Sequence, residues 1–331
     1  MTTIRFASYN LLDYGLSDTA EATARYERVH EVIRNLGADV VAVQEVIADD
    51  PDDEGGPDKA ALAGKKLAQL AEATGLEYEH APGKPALAVG NHRFHVGLLW
   101  KPGIEPAGGF RTYSGTNVWH SLVTLDLDVG AARPLRHGAF HATPFGRYRR
   151  ADEFERVLST MTRPDNRPPG LIGGDWNSVS ADRVFKPGCV SEDDAEPDRW
   201  VYYDPDPYTG LDADRQPRQW HGDLVYQTKW EYNDVGERRW WADREPGEVL
   251  YAGGLRDVAA ALNAPWKTTV GHWPTGDPFG ARRIDAVRVT HEVVDALRDY
   301  AVVDSELALT ASDHLPVLVD YDPAAIPAQE A

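Results

Sequence analysis

The sequence predicts an α/β fold of two packed sheets with helices outside them. Three observations predict it: strand and helix alternate at the start of the chain, short β-type runs crowd its middle, and apolar strands ending in polar residues recur along it.

The first strand is "IRFASYN". It is followed by "TAEATARYERVHEVIRNLG", an amphipathic helix with a glycine stop at Gly37, and by "ADVVAVQEV", a buried strand. After the acidic, Pro/Gly-rich loop "DDPDDEGGPD", "DKAALAGKKLAQLAEATG" makes a second helix. The runs "ALAVG", "HRFHVGLLW", "SLVTLDLDV" and "LRHGAFHAT" are separated by turn residues, which predicts antiparallel pairing. A helix over about 148–161 leads into the strand "PGLIGGDWN". The last third holds a helix near 255–262 and the strands "RRIDAVRVT" and "LPVLVDYD", flanking a segment with no clear pattern.

Length alone leaves open one large domain or two small ones in 331 residues. We expect one catalytic domain over 1–322 and a tail, 323–331, in which the stretch "DPAAIPAQEA" is expected to fray. Residues 186–248, rich in Pro, Asp, Trp and Tyr and lacking sustained periodicity, are expected to form an inserted loop region. Within it Arg238 and Arg239 precede Trp240 and Trp241; these could stack bases, but packing inside the insertion is the favoured role.

A hydrophobic content of 42% with 26% charged residues is that of a globular protein. No run approaches the roughly 18–20 apolar residues of a membrane helix, and the start "MTTIRFASYNLLDYG" lacks the pattern of a signal peptide. With a lone Cys189 that allows no internal disulfide, the expected location is cytoplasmic. The formal net charge of -19 repels polyanions on average. Nucleic acid would therefore need a local basic patch or bound cations.

Polar residues cluster at the ends of the apolar strands: Asn10, Glu45, His141, and Asp175 with Asn177, joined by Asp285 inside "RRIDAVRV" and by Asp313 and His314 in "TASDHLPVLV". If the two sheets pack face to face, these strand ends converge at one rim. Such a group of carboxylates, amides and imidazoles suits a hard divalent cation. Mg²⁺, with Mn²⁺ as a substitute, prefers oxygen ligands and takes few protein carboxylates beside substrate phosphate oxygens; Glu45, Asp313 and the Asn10 carbonyl fit that shell. The chain has no Cys-x-x-Cys and no His pair at helical spacing near a Glu, which argues against structural zinc. Hydrolysis of a phosphate ester then needs a base for water, a cation for phosphoryl charge and donors aimed at the transition state.

The motifs "SYNLL", "VVAVQEV", "GAFHAT", "GGDWNS", "RRIDAVRV" and "SDHLPV", in this order over about Ile4 to Asp320, resemble those of the endonuclease/exonuclease/phosphatase superfamily. The resemblance implies a four-layer α/β sandwich, two central mixed or antiparallel sheets flanked by helices, with the site at one rim. It also implies roles: Asn10 and Glu45 help hold the metal, Asp313 lines the same pocket, and Asp175 positions and deprotonates the attacking water. Asn177 donates to a phosphate oxygen. His314, polarised by Asp285, is a cationic donor to the phosphoryl group, and His141 is a second phosphate donor.

His141 shifts weight away from the abasic-site endonucleases, which commonly place Tyr there, and towards deoxyribonuclease-like, sphingomyelinase-like and phosphatase branches. Ala286 departs from the family, where an aromatic often follows the Asp of "RID". Arg147, Arg149 and Arg150 of "FGRYRRADEF" are candidates to meet substrate phosphates, with a solvated helix start as the alternative, and Trp176 between the two polar residues of "GGDWNS" is a candidate to touch substrate. The other histidines, His92, His95, His120 and His137 among them, are assigned to structure or surface.

The expected activity is divalent-metal-dependent hydrolysis of a phosphodiester, with deoxyribonuclease-type nicking of DNA first and a small-molecule, sugar, inositol or lipid phosphate as the alternative. Two readings of other classes are a glycoside hydrolase, which would need no metal, and a non-catalytic binding module. Oligomeric state is not legible.

Overall fold

The computed structural model describes residues 3–47, 59–91, 93–163, 167–186, 199–209, 227–273 and 280–328, with the side chain of Arg147 excepted. The "DDPDDEGGPD" loop, His92, Cys189 and much of the expected insertion lie outside the described residues.

Two mixed sheets form the centre. The first has six strands in the order Leu297–Val302, Val317–Tyr321, Ile4–Tyr14, Val40–Val46, His95–Trp100 and Leu87–Ala88. The second runs Arg256–Asp257, Asp285–Val289, Gly170–Asp175, Leu135–His141, Ser121–Asp128 and Glu105–Pro106, with Arg111–Tyr113 also pairing to Ser121–Asp128. Each sheet holds one parallel pair at its centre, Ile4–Tyr14 with Val40–Val46 and Leu135–His141 with Gly170–Asp175, among antiparallel neighbours. The sheets are wholly buried there, which is why "VVAVQ" and "GLIGG" read as continuous apolar runs rather than alternations.

Helices cover both outer faces, giving four layers. Ala20–Leu36, Lys59–Thr74 and Glu306–Ala311 lie on the first sheet. Thr19 caps the first of these through its hydroxyl, 3.2 Å from the Ala22 N–H, and Gly37 ends it at φ +59°. Arg147–Thr162 and Glu245–Ala252 pack together over the second sheet, where Phe140, Phe154, Val157, Ile172 and Trp176 form their own core. Between the sheets Gly173 makes close approach possible. A Cβ at Gly173 would stand 2.6 Å from Cβ of Ser8, so any side chain there would push the two sheets apart.

The structure departs from the sequence reading at several elements. Asn10 lies inside its strand, which runs on to Tyr14 through a register shift, and Asp285 opens a strand instead of lying within one. The helix expected near 255–262 spans only Val258–Ala261, because Arg256 and Asp257 pair with the sheet edge and Asp257 then caps the turn through the Ala259 N–H. The unclear segment holds helix His291–Val294, strand Leu297–Val302 and helix Glu306–Ala311.

The described parts of 186–248 are also more regular than a loop. They include the hairpins Arg183–Lys186 with Arg199–Tyr202 and Thr228–Tyr232 with Arg238–Ala242, then a helix from Glu245. Trp240 is buried in a small cluster with Val179, Tyr208 and Ala242, and Trp230 stays partly exposed with the Arg238 guanidinium 5.1 Å from its ring centre. Arg283 ties this region to the body: fully buried, it pairs with Asp204 at 2.7 Å and Asp257 at 2.6 Å. The tail is docked at its start, where Asp322 caps a 3-10 turn over Pro323–Ala325 and Ile326 is buried. No helix among the described residues is long and apolar enough to cross a membrane.

Candidate active site

Sheet register gathers the polar residues. His141 stands beside Asp175, and Asp175 beside Asp285, so the second sheet delivers three of them side by side at one edge. In the first sheet Asn10 pairs with Gln44, which sets Glu45 next to it. Asp313 and His314 sit in the turn between the helix Glu306–Ala311 and the strand Val317–Tyr321. Four of the five described non-glycine residues with positive φ, Leu12, Asp13, Glu45 and Asn177, lie at this rim. Such conformations cost energy and persist where surrounding contacts enforce them. Here Arg25 is one enforcer, donating to the carbonyls of Leu11, Leu12 and Ala311.

Asp175 is the hub. Its Oδ1 accepts the Asn177 N–H at 2.9 Å, its Oδ2 accepts from Asn10 Nδ2 at 3.2 Å, and that oxygen lies 3.4 Å from His141 Nε2 and 3.8 Å from His314 Nε2. Burial pushes its carboxyl up to about 7; His314 opposes the rise and Asp285 adds to it. His314 is oriented by Asp285, whose Oδ2 and Oδ1 lie 2.8 and 3.0 Å from Nδ1, leaving Nε2 towards Asp175. Burial disfavours the imidazolium, but Asp285, Asp313 and Asp175 together outweigh it and hold this ring well above its ordinary value. His314 is therefore a cation at neutral pH.

His141 is its opposite. Burial, with His120 and His314 nearby, holds it well below the ordinary histidine value, so it is neutral. His120, assigned from sequence to structure, stacks on it with ring centres 4.1 Å apart. Two imidazoles thus sit against one carboxylate in different charge states.

Around Glu45 the charges do not balance. Its carboxyl is pushed up to about 7 by burial and by Asp13 and Asp313, although Asn10 Nδ2 donates to Oε1 at 3.1 Å and the Asp13 N–H to Oε2 at 3.0 Å. Asp13 is itself raised, by burial first and by Asp313. Arg25 and Arg93 offset the charge of Asp13 and His314 that of Glu45, but burial and mutual repulsion prevail, and carboxylates so crowded suit a divalent cation with hard oxygen ligands. Asp175, Asp285 and His314 also bring one potential ligand atom each within 4.8 Å of one another, but His314 and Asp285 already bond each other.

Asn10 differs from its expected use. Its backbone carbonyl accepts from Ser312 Oγ at 2.8 Å and its Oδ1 from the Leu12 N–H at 3.1 Å, so the amide turns N–H groups, not oxygen, towards Glu45 and Asp175. It links the two sheets. Trp176 and Arg150, candidates for substrate contact, are fully buried: the Trp176 indole donates to the Ala286 carbonyl at 2.9 Å and packs in the helix-facing core. The sequence reading also passed over Asp13, Ser312, Gln227 and Tyr208. Gln227 Nε2 donates to Asn177 Oδ1 at 3.2 Å, and Tyr208 donates to Gln227 Oε1 at 3.1 Å. With Asn177 Nδ2 donating to the Ala142 carbonyl at 3.0 Å, the orientation of that amide is fixed from both ends. Asp13 had a signal, an acid three residues after Asn10; Gln227 had none.

The family model described as endonuclease/exonuclease/phosphatase matches residues 7–322. No curated protein matches the chain. Among solved structures the chain is similar to an endonuclease/exonuclease/phosphatase from Bacteroides vulgatus, 13% identical over 97% of this chain and 99% of that one, TM-score 0.58. One from Beutenbergia cavernae is 20% identical over 96% and 71%, TM-score 0.56. A mannosyl-6-phosphatase from Bacteroides thetaiotaomicron is 16% identical over 96% and 98%, TM-score 0.52.

Proposed function

The chain belongs to the endonuclease/exonuclease/phosphatase family, whose members hydrolyse phosphate esters with a metal, and from that premise we propose that it cleaves a phosphodiester, DNA first among candidates, by Mg²⁺-dependent attack of water. The observation that carries the reading is Asp175, a buried carboxylate near 7 held by Asn177 and Asn10 between a cationic and a neutral imidazole.

Asp175 takes the proton of the attacking water, since a base that titrates near the working pH is both available and strong enough. His314, kept charged by Asp285, donates through Nε2 to a phosphoryl oxygen as charge builds there. His141, neutral, adds a second N–H donor, and Asn177 a third through the Nδ2 hydrogen that Ala142 does not use. Glu45 and Asp313 would hold Mg²⁺ or Mn²⁺, with Asn10 fixing the Glu45 carboxylate. As the water oxygen bonds to phosphorus the ester P–O bond opposite breaks, and a bound cation would supply neutralisation of the charge on the phosphoryl and leaving oxygens.

A second reading, hydrolysis of a small sugar or lipid phosphate, is favoured by the net charge of -19 and by the fold shared with a mannosyl-6-phosphatase. A hydrolysis panel with and without EDTA tests both: plasmid DNA, bis(p-nitrophenyl) phosphate, mannose 6-phosphate, inositol phosphates and sphingomyelin. Chelator-sensitive cleavage of plasmid DNA and bis(p-nitrophenyl) phosphate supports the first reading. Turnover of the monoesters or of sphingomyelin without DNA cleavage moves the assignment to the second, and activity surviving EDTA overturns the metal requirement.

A further inference from the structure

A basic row runs down the outer helix of the second sheet, away from the rim. Arg149, Arg156 and Arg163 recur every seven residues along Arg147–Thr162 and its C-cap. Seven residues are close to two turns, so the three project from one side, about 10 Å apart. Arg149 starts nearest the rim: its guanidinium lies over Trp119 at 4.8 Å and donates to the Gly115 carbonyl at 3.2 Å, and Trp119 directly precedes His120, which stacks on His141. Arg156 lies over Tyr113 at 5.6 Å and donates to Asn117 Oδ1 at 3.3 Å. At the far end Arg111, Arg136, Arg156, Arg163 and Arg167 line one cavity of about 280 Å³ with Tyr113 and two hydroxyl side chains, and no carboxylate is among its lining residues that the structure describes.

The acids near the row are few. Glu153 lies 3.6 Å from Arg149, Asp126 pairs with Arg136 at 2.8 Å, and the same helix carries Asp152 and Glu155, both exposed. Arg111, Arg156 and Arg163 have no carboxylate partner among the described residues. In a chain of net charge -19 this is where a polyanion is tolerated. The cavity alone would suit a small phosphate. A small anion does not account for the row from cavity to rim, about 21 Å at the helical rise per residue. Nor does it account for Phe145 and Tyr148, 41% and 68% exposed at the head of the row, where bases can stack.

We propose that this row and the cavity at its end bind phosphates spaced along a single-stranded nucleic acid whose other end enters the catalytic rim. The inference rests on the phosphodiesterase reading and adds a place where the strand is held.

The test is the triple variant Arg111→Ala/Arg156→Ala/Arg163→Ala, with an Arg→Lys version as charge control. Binding of a fluorescein-labelled 20-nucleotide DNA strand is measured by anisotropy in EDTA, beside turnover of bis(p-nitrophenyl) phosphate with Mg²⁺. The alanine variant should bind the strand at least 10-fold more weakly, with the salt dependence of log K flattened by about 2, the loss of three single-strand phosphate contacts. Lysine should restore most of the binding. Turnover of the small diester should stay within twofold of wild type. Unchanged strand affinity in the alanine variant overturns the proposal, as does wild-type binding that is equal for 6 and 20 nucleotides and fully competed by tripolyphosphate, which would make the cavity a small-anion site. Absence of small-diester turnover in the wild type would instead sink the phosphodiesterase reading, independently of what the anisotropy shows.

Discussion

Replacing Asp175 by Asn should make the protein more stable and nearly inactive. Burial raises this carboxyl to about 7 from an ordinary 3.8. The folded state therefore binds more protons than the unfolded state between those values, so stability falls as pH rises from about 4 to about 7, and the full penalty is present above it. About 3 pH units at roughly 1.4 kcal/mol each set a ceiling near 4 kcal/mol. Losing the attraction to His314 and the acceptor of the Asn10 Nδ2 hydrogen bond offsets part of that, and a gain of about 1–3 kcal/mol at pH 8 is expected. An amide keeps the oxygen that accepts the Asn177 N–H. Urea denaturation of both proteins in EDTA at pH 8 and pH 4.5 measures the gain, most of which should be lost at the lower pH. The same substitution should cut kcat by about 10²–10⁴, the scale of a lost general base. A variant no more stable than wild type at pH 8, or one keeping a tenth of the wild-type rate, refutes the reasoning.

Glu45→Gln removes one of three crowded carboxylates and should raise the Mg²⁺ concentration for half-maximal activity at least about 10-fold, read from a metal titration; an unchanged titration makes Glu45 structural. Gln227→Leu frees the Asn177 amide to turn and should lower kcat about 5- to 10-fold with little change in KM, the cost of one lost positioning hydrogen bond of about 1 kcal/mol. Equal loss in KM alone would point to substrate contact instead. Arg283→Met strands Asp204 and Asp257 in the core and should cost about 3–5 kcal/mol in urea denaturation at neutral pH. A loss under 1 kcal/mol would show that water reaches these carboxylates.

The fold was legible where burial is two-sided. "VVAVQEV" and "GLIGGDWN" are uninterrupted apolar runs because each lies at the parallel centre of a sheet, and the residue that closes such a run has nowhere to go but the rim. That logic puts Glu45, His141 and Asp175 at the strand ends where the structure places them. It misplaced Asn10, since the strand continues past it through a register shift that leaves no mark in apolar patterning. It overvalued Trp176, because alternation along the turn after Asp175 sends the indole into the helix-facing core. Gln227 and Tyr208 reach the site from some 30–50 residues downstream of Asn177 by hydrogen bonds alone, and pairing of that kind has no periodicity to read. The arginine row was written in the chain at seven-residue spacing, yet charge on an exposed helix face is ordinary until a cavity gathers it.

Asn10 spans the seam between two slabs, one N–H group reaching a carboxylate on each. The catalytic centre is thereby a gauge of slab separation, which the bare backbone at Gly173 keeps small. A parting of one ångström would stretch the Asn10–Asp175 contact, 3.2 Å long, beyond bonding range. Any treatment that swells the interior, whether heat short of melting or a bulkier residue wedged in the seam, should silence the chemistry while each slab keeps its own strands paired.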